Sequence, residues 1–375
     1  MMTKPILFVI NSLRLGGAEK ICVELANAFV QQGIPVDLVV LELREAVLRE
    51  NLDPKVRLTN LEIGHARQAF FSLKKLIQAG DYTQTLVFTF QLSVVLVLIR
   101  KLSGLRFRII ARAINNLTEK FKHERSLWHK YASYFLIRQF YFDVDHIIAQ
   151  SSGMHRELEK LRGGRKTGIS TIFNFHQIRP LNNLIGTASL DGLQSQNKLL
   201  FVGKLKLQKN VSFLLKVAGE LARTRQDFHF TIVGDGPEKE SLLQLRGELG
   251  LADNVTLVGA QKEVAPFYAK TSVLVLGSWY EGFPNVLLEA LEFGIPIVSV
   301  NCPSGPEDII INEVNGKLVN GYDVGEFAKA VTETLHRKWN KEVIRSTLKR
   351  FSKDTAVQSY LDLLTEKKDS GAAKT

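Results

Sequence analysis

The sequence predicts an α/β protein of two domains, each built on a parallel sheet flanked by helices. Short apolar runs alternate with amphipathic helical segments along the 375-residue chain, which is the pattern of repeated βαβ units. The chain is also longer than the roughly 250–300 residues at which a single core usually stops growing.

The periodicity fades between Gln177 and Asn197, where Pro, Gly, Asn and Ser accumulate. We therefore divide the chain into a first domain at 1–180, a linker at 181–197 and a second domain at 198–352. A last helix at 353–366, which is a candidate to return to the first domain, precedes a tail at 367–375 whose composition is typical of disorder.

The first domain begins with a strand, a glycine loop and a helix. Pro5 to Asn11 is apolar, and the apolar residues of Ile21 to Gln32 recur at helical spacing. Between them, Gly16 and Gly17 would allow a ligand to approach the backbone at the helix N-terminus. The alternative is that these glycines only allow a tight turn. Further strands are predicted at Val36 to Leu41, Leu86 to Phe90, Phe107 to Ala111, His146 to Gln150 and Ser170 to Phe173, with helices at Leu92 to Ser103, Leu127 to Phe142 and Met154 to Leu161.

The second domain repeats this alternation. Strands are predicted at Lys198 to Val202, Phe228 to Val233, Val255 to Val258, Thr271 to Leu276, Ile297 to Val300 and Lys317 to Val319, and helices at Val211 to Arg223, Lys239 to Gly250, Val264 to Ala269, Val324 to Arg337 and Asn340 to Phe351.

The stretch Ser278 to Ile311 reads as a loop, a helix and a strand that follow an apolar strand. We expect Asn285 to be the N-cap of this helix. Ligands of open parallel sheets bind at the carboxyl ends of strands, where helix N-termini present free N–H groups to anions. Glu281 and Glu289 lie across this corner, and the helical wheel predicts that Glu289 shares a solvent-facing surface with Asn285 and Glu292.

The net charge of +11 is concentrated in the first half of the chain. Residues 1–180 hold 26 Lys+Arg and 15 Asp+Glu, whereas 181–375 hold 23 of each. Arg100 to Arg138 alone carries ten basic and two acidic residues among several aromatic side chains. This mixture favours an anionic surface, either membrane headgroups or nucleic acid, over the alternative of an ordinary cationic helix with its aromatic residues in the core.

The cysteines and the apolar runs indicate the compartment. No secretory signal is recognised, and no apolar run reaches the ~20 residues of a membrane-spanning helix. Cys22 and Cys302 are far apart and lack the spacing of metal ligands, which is typical of a reducing environment. We expect a cytoplasmic protein.

Five motifs resemble those of the retaining, nucleotide-sugar-dependent glycosyltransferases of family 4, also called group 1. They follow the order of the family and span nearly the whole chain: LGGAEK, VGKLKLQKN, VGDGPEKESL, VTLVGAQKEV, and EGFPNVLLEALEFGIPIVSVNCPSGPEDII with NEVNGKLV after it. The resemblance implies the GT-B fold, in which two Rossmann-like domains face each other across a cleft. It also implies that the first domain binds the acceptor and the second binds the nucleotide sugar.

The resemblance assigns the phosphates of the donor to cations and backbone donors. Lys204, which follows the turn at Gly203, and Lys209 at the start of the next helix would hold the phosphates, and Gly16 and Gly17 would face them from the first domain. Solvated surface lysines are the alternative.

The resemblance also assigns the two carboxylates. Glu289 matches the residue that binds the two ribose hydroxyls, and Glu281 matches the residue near the hydroxyls of the donor sugar. The expected catalytic residues are thus Lys204, Lys209 and Glu281, and the loop expected to offer backbone N–H groups to the donor consists of Gly282, Phe283, Pro284 and Asn285.

The chain departs from the family after the strand Phe107 to Ala111. Many members have a histidine here that touches the donor sugar, but this chain reads ARAINNLTEK. Either Asn115 or Asn116 supplies the polar contact, or the chemistry is arranged differently.

Two short motifs carry little functional weight. Asp143 and Asp145 form an Asp-x-Asp, which binds manganese in glycosyltransferases of another fold, but here it precedes a strand on a domain surface, so we expect no metal. GDGP at Gly234 lacks the third glycine of a dinucleotide fingerprint and is expected to be a turn.

The implied reaction moves a hexose or N-acetylhexosamine, with a UDP-sugar favoured as donor, to the hydroxyl of an acceptor with retention at the anomeric carbon. It needs no cofactor, because positive charge on the protein can stabilise the departing phosphate. The expected acceptor is a lipid-linked saccharide in the assembly of bacterial surface polysaccharide. The basic stretch 100–138 would then hold the enzyme peripherally on the inner face of the cytoplasmic membrane.

Two alternatives remain. A nucleotide-sugar epimerase or a phosphorylase has the same fold and would act on the donor differently. A polyanion-binding module is more remote, because no nucleic-acid-binding motif accompanies the basic stretch and we expect no nucleic-acid partner.

Overall fold

The structure is a computed structural model that describes residues 4–122, 135–177, 179 and 197–365. These residues form two α/β units. The first unit contains the described residues up to Ile114, those from 135 to Phe175, and 353–365; the second contains 115–122 and the described residues of 176–352. The predicted linker and tail fall outside the described residues, except for Asn197.

The first unit is a seven-stranded parallel sheet in the order β3-β2-β1-β4-β5-β6-β7. The strands are β1 (Ile6–Ile10), β2 (Val36–Val40), β3 (Arg57–Asn60), β4 (Gln84–Val87), β5 (Arg108–Arg112), β6 (His146–Ala149) and β7 (Gly168–Thr171). The helices are α1 (Gly17–Gln31), α2 (Phe70–Ala79), α3 (Phe90–Ser103), α5 (Ser152–Arg162) and α13 (Lys353–Thr365), with 3₁₀ turns at Val47–Asn51, Ala66–Gln68 and Tyr141–Asp143. All residues of β1 and β2 are buried, since helices cover both faces of the sheet. Of the helix predicted at Leu127 to Phe142, residues 127–134 lie outside the described residues and residues 135–140 are helical.

The core of the first unit includes the helix α13. Val357, Tyr360 and Leu364 are buried in the same cluster as residues of α1 and β1. Arg112, at the end of β5, is 1% exposed; its Nε donates a hydrogen bond of 2.9 Å to the Tyr360 hydroxyl, and its Nη2 donates to Oδ1 of Asn174. A buried guanidinium is costly without such partners, so α13 is an integral part of this unit.

The Asp-x-Asp motif is held by two cations of α3. The guanidinium of Arg100 bonds to the Asp145 carboxylate and to the backbone carbonyl of Asp143, and Lys101 pairs with the Asp143 carboxylate. The two aspartates thus anchor the C-terminal end of α3 to the loop before β6.

The second unit is a six-stranded parallel sheet in the order β10-β9-β8-β11-β12-β13. The strands are β8 (Lys198–Val202), β9 (His229–Val233), β10 (Val255–Gly259), β11 (Val273–Leu276), β12 (Ile297–Val300) and β13 (Gly316–Val319). The helices are α4 (Leu117–Lys122), α6 (Val211–Thr224), α7 (Lys239–Glu248), α8 (Ala265–Ala269), α9 (Asn285–Glu292), α10 (Pro306–Ile309), α11 (Val324–His336) and α12 (Lys341–Ser346), with 3₁₀ turns at Leu207–Lys209 and Thr347–Phe351.

Both sheets confirm the predicted α/β class with parallel strands. In each sheet the strand order reverses beside the first strand, between β1 and β4 and between β8 and β11. The carboxyl ends of two such adjacent strands form the crevice where open α/β sheets bind ligands. Within the described ranges, no helix combines the length and the apolar character needed to cross a membrane.

Candidate active site

The predicted donor-binding residues of the second unit gather at the reversal point of its sheet. The loop after β8 carries Gly203, Lys204 and Lys209, and the loop after β11 runs from Gly277 to Pro284 into α9. Because β8 and β11 are adjacent and parallel, their loops meet at one edge of the sheet.

An ion pair joins the two loops. Nζ of Lys209 lies 2.6 Å from Oε1 of Glu281, and the two side chains are only 15% and 7% exposed. The same Oε1 accepts a hydrogen bond of 2.6 Å from the Ser278 hydroxyl. Among the described residues, nothing donates a hydrogen bond to Oε2 of Glu281. One oxygen of this carboxylate is thus committed to the protein, and the other is available to a ligand hydroxyl.

The backbone around Lys209 is fixed by its neighbours. Asn210 has a left-handed conformation, with φ of 49°, and its Nδ2 donates to the carbonyl of Gly277 at 3.1 Å. Nε2 of Gln208 donates to the carbonyl of Tyr280 at 2.7 Å. Helix α6 begins at Val211, so our prediction that Lys209 opens the helix is wrong; this lysine ends a 3₁₀ turn.

Lys204 differs from Lys209 because it is exposed. Its ammonium group makes no hydrogen bond or ion pair with the part of the chain that the structure describes. The GDGP turn supports its loop: a Cβ on Gly234, where φ is 146°, would lie 1.8 Å from the carbonyl oxygen of Gly203. Glycine therefore permits the close approach of the two backbones, as expected for a turn.

The loop from Gly282 to Asn285 is packed against the segment after β12. The backbone N–H of Glu281 donates to the carbonyl of Pro303 at 3.1 Å. A Cβ on Gly305, where φ is 101°, would lie 2.5 Å from Cδ of Pro284. The predicted N-cap is wrong: Pro284 is the N-cap, and Asn285 is already the first helical residue, so its side chain comes one position too late to cap.

Glu289, on α9, is half-buried and accepts a hydrogen bond of 2.8 Å from the Tyr268 hydroxyl. Sequence reasoning missed Tyr268 and Ser278. Ser278 lay inside the stretch we singled out, but nothing in its spacing indicated a role, and Tyr268 lies on a different helix, α8.

Glu292 corrects our helical-wheel prediction. It is fully buried rather than solvent-facing, and its carboxylate accepts hydrogen bonds from His176 and Arg179. Burial acts to raise the pKa of Glu292, but these hydrogen bonds and the nearby positive charge lower it to about 2. The wheel failed because the partners come from a distant segment of the chain.

The two asparagines proposed to replace the family histidine belong to the second unit. Nδ2 of Asn116 donates to the hydroxyl of Ser304 at 3.1 Å, and its Oδ1 accepts from the backbone N–H of Glu119 at 2.9 Å. Asn115 is half-exposed, and its side chain makes no hydrogen bond within the described ranges. Asn115 is therefore the one available to a ligand.

Gly16 and Gly17 lie in the first unit, at the end of β1. Gly16 is the N-cap of α1, and a Cβ there would lie 2.3 Å from Oε2 of Glu19. Burial raises the pKa of Glu19, against the opposing effects of its own backbone N–H and of Arg112. The carboxylate of Glu19 therefore fills the space beside Gly16. An anion bound next to Gly16 would be repelled by this carboxylate.

The thiol of Cys302 is buried beside the candidate site. Burial raises the pKa of Cys302, and the negative charge of Glu281 raises it further. The thiol stays protonated. Within the described residues, no three His, Cys, Asp or Glu side chains are grouped so that they could hold a metal ion.

Two protein-family models match the two halves of the chain. Glycosyltransferase Family 4 matches residues 15–176, and Glycosyl transferases group 1 matches residues 191–354. Among relatives, an uncharacterized glycosyltransferase of Haemophilus influenzae is 28% identical over 338 residues, which cover 88% of this chain and 90% of that protein.

Two further relatives have named activities. An α-1,4-N-acetylgalactosaminyltransferase of Campylobacter jejuni, whose name specifies a saccharide on diphospho-undecaprenol, is 25% identical over 97% of this chain and 99% of that protein. A lipopolysaccharide 1,6-galactosyltransferase of Salmonella typhimurium is 31% identical over 56% of this chain, but the match spans only 58% of that protein.

A solved structure shows the same fold. The Anabaena protein HepE, in complex with UDP and glucose, superposes with a TM-score of 0.75 at 18% identity, covering 96% of this chain and 99% of that one. This likeness and the two parallel sheets show the fold, and the two family matches show the family that the sequence resembles. The chain belongs to the group 1, family 4 glycosyltransferases and has the GT-B fold.

Proposed function

We propose that this glycosyltransferase moves a hexose or N-acetylhexosamine from a nucleoside diphosphate sugar, with UDP favoured, to a hydroxyl of a lipid-linked saccharide, with retention at the anomeric carbon. The observation that carries the proposal is the Lys209–Glu281 ion pair at the reversal point of the second sheet, where the loop that holds Lys209 also carries the exposed Lys204. This arrangement offers cations to a diphosphate and an acceptor oxygen to a sugar hydroxyl.

Lys204 and Glu281 would have different roles at the reaction centre. Lys204 approaches the diphosphate and stabilises the negative charge that develops as it leaves. Glu281 is already paired with Lys209 and Ser278, so it orients the sugar through its second oxygen and does not attack the anomeric carbon. The acceptor hydroxyl attacks from the face that the diphosphate leaves, and a phosphate oxygen takes its proton. No metal ion is needed in this scheme, so turnover should persist in EDTA, and its loss would contradict the scheme.

The nucleotide assignment rests on Glu289. Its carboxylate is half-buried on α9 and can accept hydrogen bonds from two vicinal ribose hydroxyls. HepE was solved with UDP and glucose, which favours a uridine donor. The Campylobacter relative and the Salmonella relative favour, respectively, a lipid-linked acceptor and the assembly of lipopolysaccharide or a similar polysaccharide.

Thermal shift with UDP-, GDP- and ADP-sugars tests the donor. We expect a UDP-sugar to raise the melting temperature of the wild type and to raise that of Glu289→Ala much less. The matched control is Glu240→Ala, which removes an exposed glutamate from another helix of the same unit. A full ligand-induced shift in Glu289→Ala would show that the ribose assignment is wrong.

Incubation with the donor alone separates a transferase from an epimerase. An epimerase converts the sugar nucleotide without any acceptor, whereas the proposed transferase leaves its sugar configuration unchanged. Analysis of the recovered sugar nucleotide by NMR distinguishes the two, and a changed sugar would overturn the proposal.

A further inference from the structure

The carboxylate of Glu292 joins helix α9 to the segment by which the chain enters the second unit. Apart from residues 115–123, the chain passes from the first unit to the second between Phe175 and His176. Nε2 of His176 donates to Oε2 of Glu292 at 2.8 Å, and the backbone N–H of Arg179 donates to Oε1 at 2.8 Å. The Arg179 guanidinium adds hydrogen bonds of 3.3 and 3.0 Å, one to each oxygen.

The position of Glu292 is unfavourable without these partners. The side chain is 0% exposed, and it is the last residue of α9, where the helix dipole disfavours negative charge. Its partners lie more than 110 residues away in sequence, with separations of 116 for His176 and 113 for Arg179. The position of α9 and those of His176 and Arg179 therefore depend on each other.

The returning chain is attached at the same place. His176 forms an isolated parallel β-bridge with Ser352, and its backbone N–H donates to the carbonyl of Phe351 at 2.9 Å. The ring of Phe351 packs edge-on against Phe283 of the proposed donor loop, with 5.5 Å between centroids. The guanidinium of Arg345 donates to the backbone carbonyls of Glu292 and Arg179. Both chain crossings thus contact the element that carries the proposed donor site.

We propose that Glu292 is a positioning residue that, through His176 and Arg179, couples occupancy of the donor site on α9 to the chain crossings at 175/176 and 352/353. This inference rests on the proposed function, because it takes Glu289 as a nucleotide contact. Glu289 and Glu292 are less than one turn apart, so a ligand that fixes one fixes the other. Any motion of one unit against the other must change the backbone dihedral angles at these crossings. The contacts of Glu292 with His176 and Arg179 would therefore link such a motion to occupancy of the donor site.

Hydrogen–deuterium exchange of the full chain with and without UDP tests the coupling. In the wild type, UDP should slow exchange in peptides covering 285–292 and in peptides covering 173–179. Glu292→Gln removes the charge of this side chain and keeps its shape. In this variant UDP should still protect 285–292. The gain in protection factor at 173–179 should fall about tenfold, because a hydrogen bond to a charged group contributes roughly that factor. Arg179→Met is the second variant; its side chain is 53% exposed, so the substitution is compatible with folding.

A control variant measures the effect of general destabilisation. Asp37→Asn removes the charge of another buried carboxylate, 6% exposed, that holds Arg57 and Tyr82 in the first unit. It should leave the UDP-induced protection at 173–179 unchanged, and an equal loss there would overturn the inference. Protection confined to 285–292 in the wild type, or retained at 173–179 in both test variants, would also overturn it. If UDP protects neither region of the wild type, the proposed function fails and this inference with it.

Discussion

The hydroxyl of Tyr268 donates a hydrogen bond of 2.8 Å to Oε2 of Glu289, 21 positions away in sequence. Tyr268 is 3% exposed, and its ring stacks on Phe293 with 5.4 Å between centroids, which fixes the direction of the hydroxyl. Burial raises the pKa of Tyr268, and the charge of Glu289 raises it further, so the hydroxyl remains a donor. The carboxylate expected to bind ribose is thus oriented before any ligand arrives.

Tyr268→Phe should weaken UDP binding about three- to tenfold, because it removes one hydrogen bond of roughly 1 kcal/mol that orients Glu289. Isothermal titration calorimetry measures the change. The matched control is Tyr360→Phe, which removes a buried hydroxyl that bonds to Arg112 in the first unit. Unchanged affinity in Tyr268→Phe would show that Glu289 does not depend on this contact.

Substitutions of the two lysines should differ in their effect on stability. Lys204→Met should leave the free energy of unfolding within about 0.5 kcal/mol, since this side chain is exposed, but lower kcat about 100- to 1,000-fold. Lys209→Met should lower the free energy of unfolding by about 3 kcal/mol, because it leaves the buried Glu281 unpaired. Urea unfolding and steady-state turnover measure both effects.

A double variant checks the reason given for Lys209. Adding Glu281→Gln to Lys209→Met removes the unpaired charge, so it should recover most of the lost stability. A further loss would mean that the ion pair itself is not the cause.

Acid should weaken the fold partly through Glu292. Its pKa falls from an ordinary 4.5 to about 2 in the folded chain, so its contribution is complete above pH 4.5 and is lost as the pH falls toward 2. The full contribution is about 3 kcal/mol, of which about 1 kcal/mol is lost by pH 3.5. The free energy of unfolding between pH 6 and pH 3.5 should therefore fall less in Glu292→Gln than in the wild type. Equal slopes would contradict the lowered pKa.

The basic stretch 100–138 is less available to a membrane than its composition predicts. The structure uses Arg100, Lys101, Arg108 and Arg112 in internal contacts of the first unit. The residues 123–134, with Trp128, Tyr131 and Tyr134, lie outside the described residues. The described part of the stretch still exposes apolar and basic side chains, among them Phe135, Leu136 and Arg138.

Co-sedimentation with liposomes tests this surface. We expect binding to vesicles that contain anionic lipid, and we expect Phe135→Ser with Arg138→Glu to reduce it several-fold, because Phe135 is 64% exposed and Arg138 is exposed. Lys216→Glu makes the same charge change on an exposed residue of the second unit and serves as the control. Equal, negligible binding to anionic and neutral vesicles would remove the membrane from the proposal.

The elements that sequence periodicity predicted are those buried on both faces or along a wide stripe. It missed β3, an edge strand whose residues are all partly or fully exposed, and α2, which buries only Leu73 and Ile77. An edge strand and a surface helix carry too few buried positions to produce a clear period.

The candidate site divides in the same way. Motifs located Lys204, Lys209, Glu281 and Glu289, because close spacing and the loop–helix pattern are visible in sequence. The contacts that orient them were not visible, since the partners of Glu289 and Glu292 come from 21 and more than 110 positions away. Only the folded sheet order brings such residues together.

Helix α13 makes the first unit discontinuous, and this sets an order on its synthesis. Tyr360 and Leu364 complete the core around Arg112 and α1, yet the whole of 176–352 is translated before them. Domains usually fold as units during synthesis, from the N-terminus onward. The first unit therefore cannot complete its core until the second unit has been synthesised. Until then, the surface of the first unit that packs against α13 stays uncovered.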